Sequence, residues 1–316
     1  MKIAMTVAHR EPAAPPSSPA ASGIRRAART EENLHQMLGE LGRLRCVPSA
    51  GHATWDESLI AENAFRRLEN AFVRQERGQV TALARAAPRD ADGFVRWFGE
   101  LRNCGPGQGD VLFSWLAEAA SSEDMRWFLK QQVAAHAGFA DLVAATQPGL
   151  PSRARLALAR LSWDAMGRGI HDAAHESLLT PVCSALHVEE LEAPLTWEAQ
   201  AIAHAHGAFA HNRRFAYQSL GALGAVMVVT PAHEAMVGSG LRRLGLSKVH
   251  RRRFALHRAL YRHHATSFLS EVLCPIVSQD PPAAFAIAEG ALVRLAAGAR
   301  AFARYRQELG VDDAVY

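Results

Sequence analysis

The sequence predicts an all-α fold built as a helical bundle, and three observations support this class. Apolar residues recur every three or four positions along most of the chain, which gives each helix one apolar face. Capping residues, prolines and glycines separate these stretches, and the longest runs for about 30 residues, a length that suits a bundle. No segment shows the convincing apolar–polar alternation that is typical of a half-buried strand.

The N-terminal part of the chain is predicted to hold a tail followed by shorter helices. Residues 1–29 contain PAAPPSSPAAS and few large apolar residues, so we expect a disordered tail. Thr30 can cap a helix whose first turn carries Glu31 and Glu32. We assign residues 30–110 to N-terminal helices that pack on a core domain. The expected features are a break at 48–51, helices over 59–77 and 91–101, and a glycine-rich loop at 103–110.

The core domain is predicted over residues 111–310 and holds the longer helices. Pro231 is expected to open a helix, because proline is tolerated in a first helical turn. Gly167-Arg168-Gly169 is expected to end a helix, and a further helical piece should carry His171 and His175. The predicted helices run over 122–146, 153–166, 197–227, 231–245, 254–273 and 283–309.

The composition of the chain argues against two classes of binding partner, nucleic acids and membranes. The net charge is only +4, and the basic run 250–253 lacks interleaved aromatic residues, so we expect no nucleic-acid partner. The four cysteines form no CxxC motif, and no signal-peptide core or run of transmembrane length is visible, so we expect a cytoplasmic protein without a membrane partner. A surface rich in Ala and Leu would allow a homodimer. The unusual feature is the count of 15 histidines.

One histidine-bearing face stands out in the stretch 254–273. His257, Tyr261 and His264 lie at positions i, i+4 and i+7, so they share one side of a helix. Two imidazoles and a phenol in this arrangement can converge on a metal ion, or they can simply pack in the core. Other predicted helices carry further candidates: Gln132 with His136, His171 and Asp172 with His175, and His204, His206 and His211. No GxSxG, HExxH or dinucleotide-binding glycine pattern is present.

Five segments of the chain match one known family in order and spacing. They are WFLKQQVAAHAGFADLVAATQ (127–147), SWDAMGRG (162–169) followed by His175, NRRFAYQSLGALG (212–224), FALHRALYRHHATSFLSEVL (254–273) and IAEGALVRLAAGARAFARY (287–305). Together they resemble the bacterial iron-containing redox enzymes, which belong to the heme-oxygenase-like superfamily of diiron oxidases and oxygenases. The resemblance implies a heme-oxygenase-like helical bundle of seven helices. It also implies a non-heme iron site of three carboxylates and three histidines.

At the positions that match the family's metal ligands, this chain keeps the histidines but lacks the carboxylates. The His-Asp-His element of the family falls on His257, Tyr261 and His264, and its Glu-to-His element falls on Ala165 and His175. The glutamate of the first helix falls on Gln132 or on His136. We therefore predict His136, His175, His257 and His264 as ligands of non-heme iron. The site would hold one ion rather than two, and a chain that holds no iron is the alternative. Tyr261 is a candidate catalytic residue or phenolate ligand. Asp172 is the nearest replacement carboxylate, whereas Asp164 is expected to point elsewhere.

The resemblance implies an O2-dependent oxidoreductase that acts on a small molecule. An amino-acid-like substrate in a biosynthetic pathway is our hypothesis, with Arg213 and Arg214 either clamping its carboxylate or serving as surface charge. The alternative is a divergent member without a diiron centre. It would be either a cofactor-independent oxidase whose histidines transfer protons or a non-catalytic partner of a pathway enzyme. A third hypothesis is heme binding through His136.

Overall fold

The computed structural model of the protein describes residues 30–46 and 55–312. These residues form helices and no β-strand, which confirms the predicted all-α class. Short 3-10 turns occupy Gly167–Gly169, His171–Ala173, Ser177–Leu179, Val188–Glu190 and Arg213–Phe215. The α-helices are α1 (Glu31–Cys46), α2 (Trp55–Arg85), α3 (Ala91–Cys104), α4 (Val111–Glu118), α5 (Ser122–Ala135), α6 (Phe139–Thr146), α7 (Ser152–Ala165), α8 (Thr180–Ala185), α9 (Trp197–Ala210), α10 (Ala216–Arg243), α11 (Arg252–Ser267), α12 (Cys274–Gln279) and α13 (Ala283–Leu309).

The chain divides into two compact units, one up to Leu68 and the other from Glu69 onward. The division falls inside α2, and residues 69–110 group with the larger unit. The three-part organisation with a boundary at residue 110 stays a prediction. The predicted tail at 1–29 and the predicted break at 48–51 lie outside the described residues.

Helix α10 is the central helix of the larger unit. It packs against α13, α11, α4 and α3. The crossing with α13 is close because both helices carry a glycine there: a Cβ atom at Gly221 would lie 1.8 Å from the carbonyl oxygen of Ile287, and one at Gly290 would lie 1.9 Å from that of Gln218. Any larger residue at either position would push the two backbones apart.

By length and composition alone, the stretch Arg213–Arg243 could cross a membrane, contrary to the expectation that no run approaches that length. Its most apolar window is 61% buried inside the protein. The central helix of a bundle is apolar all round because neighbours cover every side, so burial accounts for the composition of α10.

Two long helices predicted from the sequence are broken in the structure. The predicted helix 122–146 ends at Ala135 and restarts after Gly138, whose φ of 69° lies in the left-handed region. The predicted helix 197–227 ends at Ala210, and the Asn212 side chain then accepts a hydrogen bond from the Arg214 amide. Pro231 was expected to open a helix, yet it lies inside α10.

The segment that carries His171 and His175 is not the expected helical piece. It forms a 3-10 turn over His171–Ala173, and His175 follows in a tight loop. Gly167, with a φ of 66°, permits this loop, because a Cβ there would lie 2.5 Å from the Ala173 carbonyl carbon. The His175 amide donates a hydrogen bond to the Ala165 carbonyl, which fastens the loop to the end of α7.

Candidate functional site

Four buried side chains of α11 form the floor of the candidate site. Arg253, His257, Tyr261 and His264 follow one another at helical spacing and are all buried. The predicted face of His257, Tyr261 and His264 is therefore present, and Arg253 extends it by one turn. Beyond α11 the chain passes through a π-helical stretch, Phe268–Leu273, of a kind that is frequent at functional sites.

Glu234 of α10 faces this row and was not predicted. Its Oε1 atom lies 3.5 Å from Nη2 of Arg253 and 3.6 Å from Nδ1 of His257. Both distances exceed a good hydrogen bond, and the Oε2 atom of Glu234 is buried with no hydrogen-bond partner. Burial disfavours the carboxylate, but Arg253 and His257 outweigh it and lower the pKa of Glu234. Glu234 is therefore ionised at neutral pH.

His175 reaches the same cluster from the loop that follows α7. Its ring centroid lies 4.3 Å from that of His257, and the ring stacks on Phe139 with centroids 5.1 Å apart. Burial, followed by the charge of Arg253, holds the pKa of His175 well below its ordinary value. Burial and Arg253 also lower the pKa of His257. Both imidazoles are neutral at physiological pH, and each has one buried nitrogen without a hydrogen-bond partner, Nε2 in His175 and Nδ1 in His257.

His264 belongs to a separate pair nearer the surface. Its Nε2 atom lies 3.0 Å from Oδ2 of Asp164, and Oδ1 of Asp164 accepts a hydrogen bond from Nε of Arg168 at 2.6 Å. Asp164 was expected to point elsewhere, so that expectation is wrong; the side chain reaches α11 from the last turn of α7. Asp172, proposed as the replacement carboxylate, is exposed. Burial lowers the pKa of His264 although Asp164 opposes the shift.

His136 lies just beyond the end of α5, and both of its ring nitrogens are engaged. Nδ1 lies 3.1 Å from the Gln132 carbonyl oxygen, and Nε2 lies 3.2 Å from Nη2 of Arg294. A carbonyl can only accept and a guanidinium can only donate, so Nδ1 carries the proton and Nε2 accepts. Burial, then Arg294, lower the pKa of His136 to about 3. Neither nitrogen is free for a metal in this arrangement.

Two cavities meet at Tyr261. The inner cavity, of about 60 Å³, is lined by Glu234, Arg253, Tyr261 and Arg294 together with apolar side chains of several helices. The outer cavity, of about 370 Å³, is lined by Tyr261, His175, His257 and His264. Burial raises the pKa of Tyr261. Its side chain is therefore a protonated phenol at neutral pH. Its role as a phenolate ligand stays a prediction.

Arg294 of α13 is the second cation of the inner cavity. It is 8% exposed, and its one hydrogen-bonding contact among the described residues is with His136. No described carboxylate forms an ion pair with it. Burying a guanidinium without a carboxylate partner costs free energy. An anionic ligand that enters the cavity would lower this cost, so Arg294 suits the binding of an anion.

Arg213 and Arg214, predicted as a substrate clamp, lie elsewhere. Both are exposed, and neither lines either cavity. The Arg213 guanidinium donates a hydrogen bond to the Thr146 carbonyl at 3.1 Å. Their role in substrate binding stays a prediction, and the cavities offer it no support.

A family model described as iron-containing redox enzyme matches residues 126–299, more than half of the chain. The chain belongs to this family. Membership makes the protein an oxidoreductase by class and agrees with the heme-oxygenase-like bundle predicted from the resemblance. No curated protein matches the sequence.

The family's name implies iron, but the residues of this chain do not fit a two-iron centre. Two irons in such a bundle need several bridging carboxylates, and the three positions that the resemblance assigns to carboxylates hold none. Throughout 30–46 and 55–312, no three or more His, Cys, Asp or Glu side chains are grouped so that they could hold a metal ion. The buried guanidiniums of Arg253 and Arg294 further oppose the entry of cations.

The predicted iron ligands are thus distributed over three places. His175 and His257 lie together beside Glu234, His264 pairs with Asp164, and His136 contacts Arg294. Their roles as ligands stay predictions.

Sequence reasoning missed Glu234, Arg253 and Arg294. Glu234 is the one acidic residue of α10, and Arg294 interrupts the apolar run ALVRLAA of α13. An isolated charge inside an apolar helix was the signal that could have found both of them.

Proposed function

We propose that this protein is an oxidoreductase that oxidises a small carboxylate-bearing molecule with O2 inside the bundle, without a two-iron centre. The observation that carries the proposal is the buried cluster of Glu234, Arg253, His257 and Tyr261, which lines the two cavities. The family supplies the reaction class. Arg253, Arg294 and Glu234 line the inner cavity and His257 lines the outer one, while Tyr261 lines both. A molecule bound at Tyr261 would therefore have the positive charge on one side and the proposed base on the other.

His257 is the proposed general base. It is neutral at working pH because its pKa is lowered, so it can accept a proton from the substrate. Glu234, 3.6 Å from its Nδ1 atom, would stabilise the imidazolium that forms. The substrate would lose two electrons and two protons, and O2 would take up both to become hydrogen peroxide. Arg253 would stabilise negative charge that develops during the transfer.

Arg294 is the proposed partner of the substrate carboxylate. A guanidinium matches a carboxylate through paired N–H donors, and Arg294 uses only part of its donor capacity on His136. The inner cavity of about 60 Å³ has room for about four water molecules, which suits a carboxylate with a short apolar body.

A second candidate is oxidation at a single non-heme iron, as first predicted from the resemblance. The observation in its favour is that Nε2 of His175, Nδ1 of His257 and Oε2 of Glu234 are buried without hydrogen-bond partners. Two histidines and one carboxylate are the donor set of many mononuclear iron oxygenases. Two observations stand against it. The guanidinium of Arg253 already faces Glu234, and within 30–46 and 55–312 these three side chains are not grouped closely enough to hold a metal ion. Heme binding has no such support, since both nitrogens of His136 are engaged.

Oxygen uptake measured with an electrode tests the proposed function. The wild type, treated with chelator, would be offered a panel of short carboxylic and amino acids, and peroxide would be assayed alongside. We expect a substrate whose oxidation yields peroxide, is lost in His257→Gln and persists in His171→Ala, an exposed control. Turnover that appears only after Fe(II) is added would favour the second candidate. Turnover unchanged in His257→Gln would contradict both.

The cytoplasmic location, the biosynthetic role and the homodimer remain proposals. The non-catalytic partner predicted as an alternative would be favoured if no member of the panel were oxidised with or without Fe(II).

A further inference from the structure

The segment between Glu234 and Glu271 concentrates the positive charge of the chain. Residues 235–270 hold seven arginines and one lysine but no aspartate or glutamate. Because this segment carries eight positive charges and the whole chain a net charge of only +4, everything outside it is net negative. Six of these eight cations are exposed, namely Arg242, Arg243, Lys248, Arg252, Arg258 and Arg262.

The six exposed cations are not balanced by carboxylates of the described part of the chain, where none of them forms an ion pair. Arg242 and Arg243 donate hydrogen bonds to neutral oxygens instead. The remaining segments of the chain cannot balance six charges, because their only acidic residues are Glu11 and Asp313. Neutralisation therefore requires solvent ions or a partner from outside the chain.

Helix α11 holds three of the exposed arginines, Arg252, Arg258 and Arg262, which we call the arginine face. Arg258 and Arg262 lie at i and i+4, where like charges destabilise a helix. Arg252 lies in the first turn, which contains no acidic residue although acidic residues are favoured there. An anionic surface laid along α11 would relieve both unfavourable arrangements.

The arginine face adjoins the mouth of the outer cavity. Arg252 lines this cavity and is exposed, so the cavity reaches the surface of the protein beside it. Ile170 lines the same cavity and is 63% exposed. A macromolecule bound to the arginine face would therefore lie next to this opening.

The residue types of the segment distinguish between classes of anionic macromolecule. Phe254, Tyr261 and Phe268, the aromatic residues of 235–270, are all buried, so none can stack on unpaired bases or enter a bilayer interface. Seven of the eight cations are arginine, which is enriched at protein–protein interfaces, whereas lysine is depleted there. These features favour an acidic protein over a nucleic acid or a membrane surface.

We propose that the arginine face of α11 is a docking surface for an acidic protein, which binds beside the mouth of the outer cavity. Guanidiniums without a carboxylate partner in their own chain can pair with Asp and Glu side chains of another. Complementary charge across the interface would also steer the two proteins together. The inference concerns docking alone, so it stands or falls independently of the proposed oxidation.

Fluorescence anisotropy with a labelled acidic helix tests this inference. The probe is a synthetic peptide of about 20 residues made from Glu, Ala and Leu, and two comparison peptides carry Gln or Lys in place of Glu. The full chain would be titrated at pH 7.5 in low salt and in about 0.3 M NaCl. The test variant combines Arg258→Glu with Arg262→Glu. The matched control combines Arg153→Glu with Arg155→Glu, which changes two exposed arginines of α7 in the same way.

We expect the wild type to bind the Glu peptide but not the Gln peptide, with an affinity that falls in high salt. The test variant should bind the Glu peptide about tenfold more weakly or worse, and the control should stay within about twofold of the wild type. The test variant should bind the Lys peptide more tightly than the wild type does, because its surface charge is reversed. Arg258→Gln with Arg262→Gln, which removes the charge without reversing it, should also weaken binding of the Glu peptide.

Four results would overturn the proposal. The first is a wild type that does not bind the Glu peptide, and the second is an equal loss of affinity in the control variant, since only overall charge would then matter. The third is tighter binding to a DNA oligonucleotide or to phosphatidylglycerol vesicles in about 0.15 M NaCl, lost in the test variant, which would assign the surface to a nucleic acid or a membrane. The fourth is a wild type that dimerises in light scattering while the test variant does not, which would assign the surface to a second copy of the chain.

Discussion

Two buried glutamates of this bundle, Glu289 and Glu234, differ in how fully they are satisfied. Glu289 is 1% exposed, and its Oε2 atom accepts hydrogen bonds from Nε of Arg77 at 2.6 Å and from Nε2 of Gln218 at 3.0 Å. Glu234 has its nearest side-chain nitrogens, of Arg253 and His257, at 3.5 and 3.6 Å, and one of its oxygens has no hydrogen-bond partner.

The difference indicates two roles for a buried carboxylate. Glu289 joins α13 to α10 and α2 near the close crossing of Gly221 and Gly290, so we assign it to the architecture. Glu234 leaves hydrogen-bonding capacity unused at the wall of the inner cavity. A buried carboxylate oxygen without a hydrogen-bond partner lowers the stability of the fold. Such groups persist mainly at functional sites, where a ligand or a reacting group supplies the missing partner.

The largest expected effect is on stability. Glu234→Ala should lower the free energy of unfolding by about 3–5 kcal/mol, because Arg253 is left buried and unpaired. Adding Arg253→Met should recover most of the loss. Glu289→Ala should cost roughly 1–3 kcal/mol, since Arg77 is one-third exposed and can turn to water. Urea titrations of the four chains would measure this, and no recovery in the double variant would show that the two groups are not coupled.

Substitutions of Glu234 and Glu289 should differ more in their effect on turnover than in their effect on stability. With a substrate found by oxygen uptake, Glu234→Gln should lower turnover about 100-fold, because the imidazolium of His257 loses its counter-charge. Glu289→Gln should keep turnover within a few fold when rates are compared at equal concentrations of folded protein. Equal losses of turnover in Glu234→Gln and Glu289→Gln would show that the two glutamates do not differ in function.

Acid should destabilise the folded chain through two buried histidines near Arg294, His136 and His206. Burial, then Arg294, lower the pKa values of His136 and His206 to about 3. Between pH 6.5 and those values the unfolded chain binds protons that the folded chain does not, so stability falls as pH falls. The expected loss is about 1.4 kcal/mol per pH unit for each such histidine. Urea midpoints at pH 7.5, 6.0 and 5.0 that do not change would contradict this.

The smallest expected effect concerns the outer pair. Arg168, 68% exposed on its side chain, holds Asp164, which in turn faces His264. Arg168→Ala should change stability by about 0–1 kcal/mol, because water screens an exposed ion pair. A loss as large as that of Glu234→Ala, measured by the same urea titration, would place His264 and Asp164 inside the functional cluster.

The sequence predicted what depends on local spacing. The face of His257, Tyr261 and His264 follows from the helical repeat, and α7 and α13 begin and end close to their predicted bounds. Spacing could not show that α5 ends at Ala135, just before His136, or that Pro231 lies inside α10, because the surrounding helices decide both.

The sequence alone could not predict the contacts between segments that are distant along the chain. Glu234 and Arg253 meet across the turn between α10 and α11, and Arg294 reaches His136 from the last helix. His175 joins the cluster through a loop with left-handed residues at Gly167 and Arg168, which a helical pattern does not reveal. The family resemblance predicted the fold, whereas the contacts of Glu234, Arg253 and Arg294 are visible only in the structure.

Iron content after anaerobic loading with Fe(II) and desalting tests the central claim most directly. Mass spectrometry would count iron per chain in the wild type and in His257→Ala. We predict that the wild type holds far less than one iron per chain and that His257→Ala does not differ, because Arg253 already supplies the positive charge beside Glu234. Two irons per chain, lost in His257→Ala, would contradict the account and establish a diiron centre built from other residues.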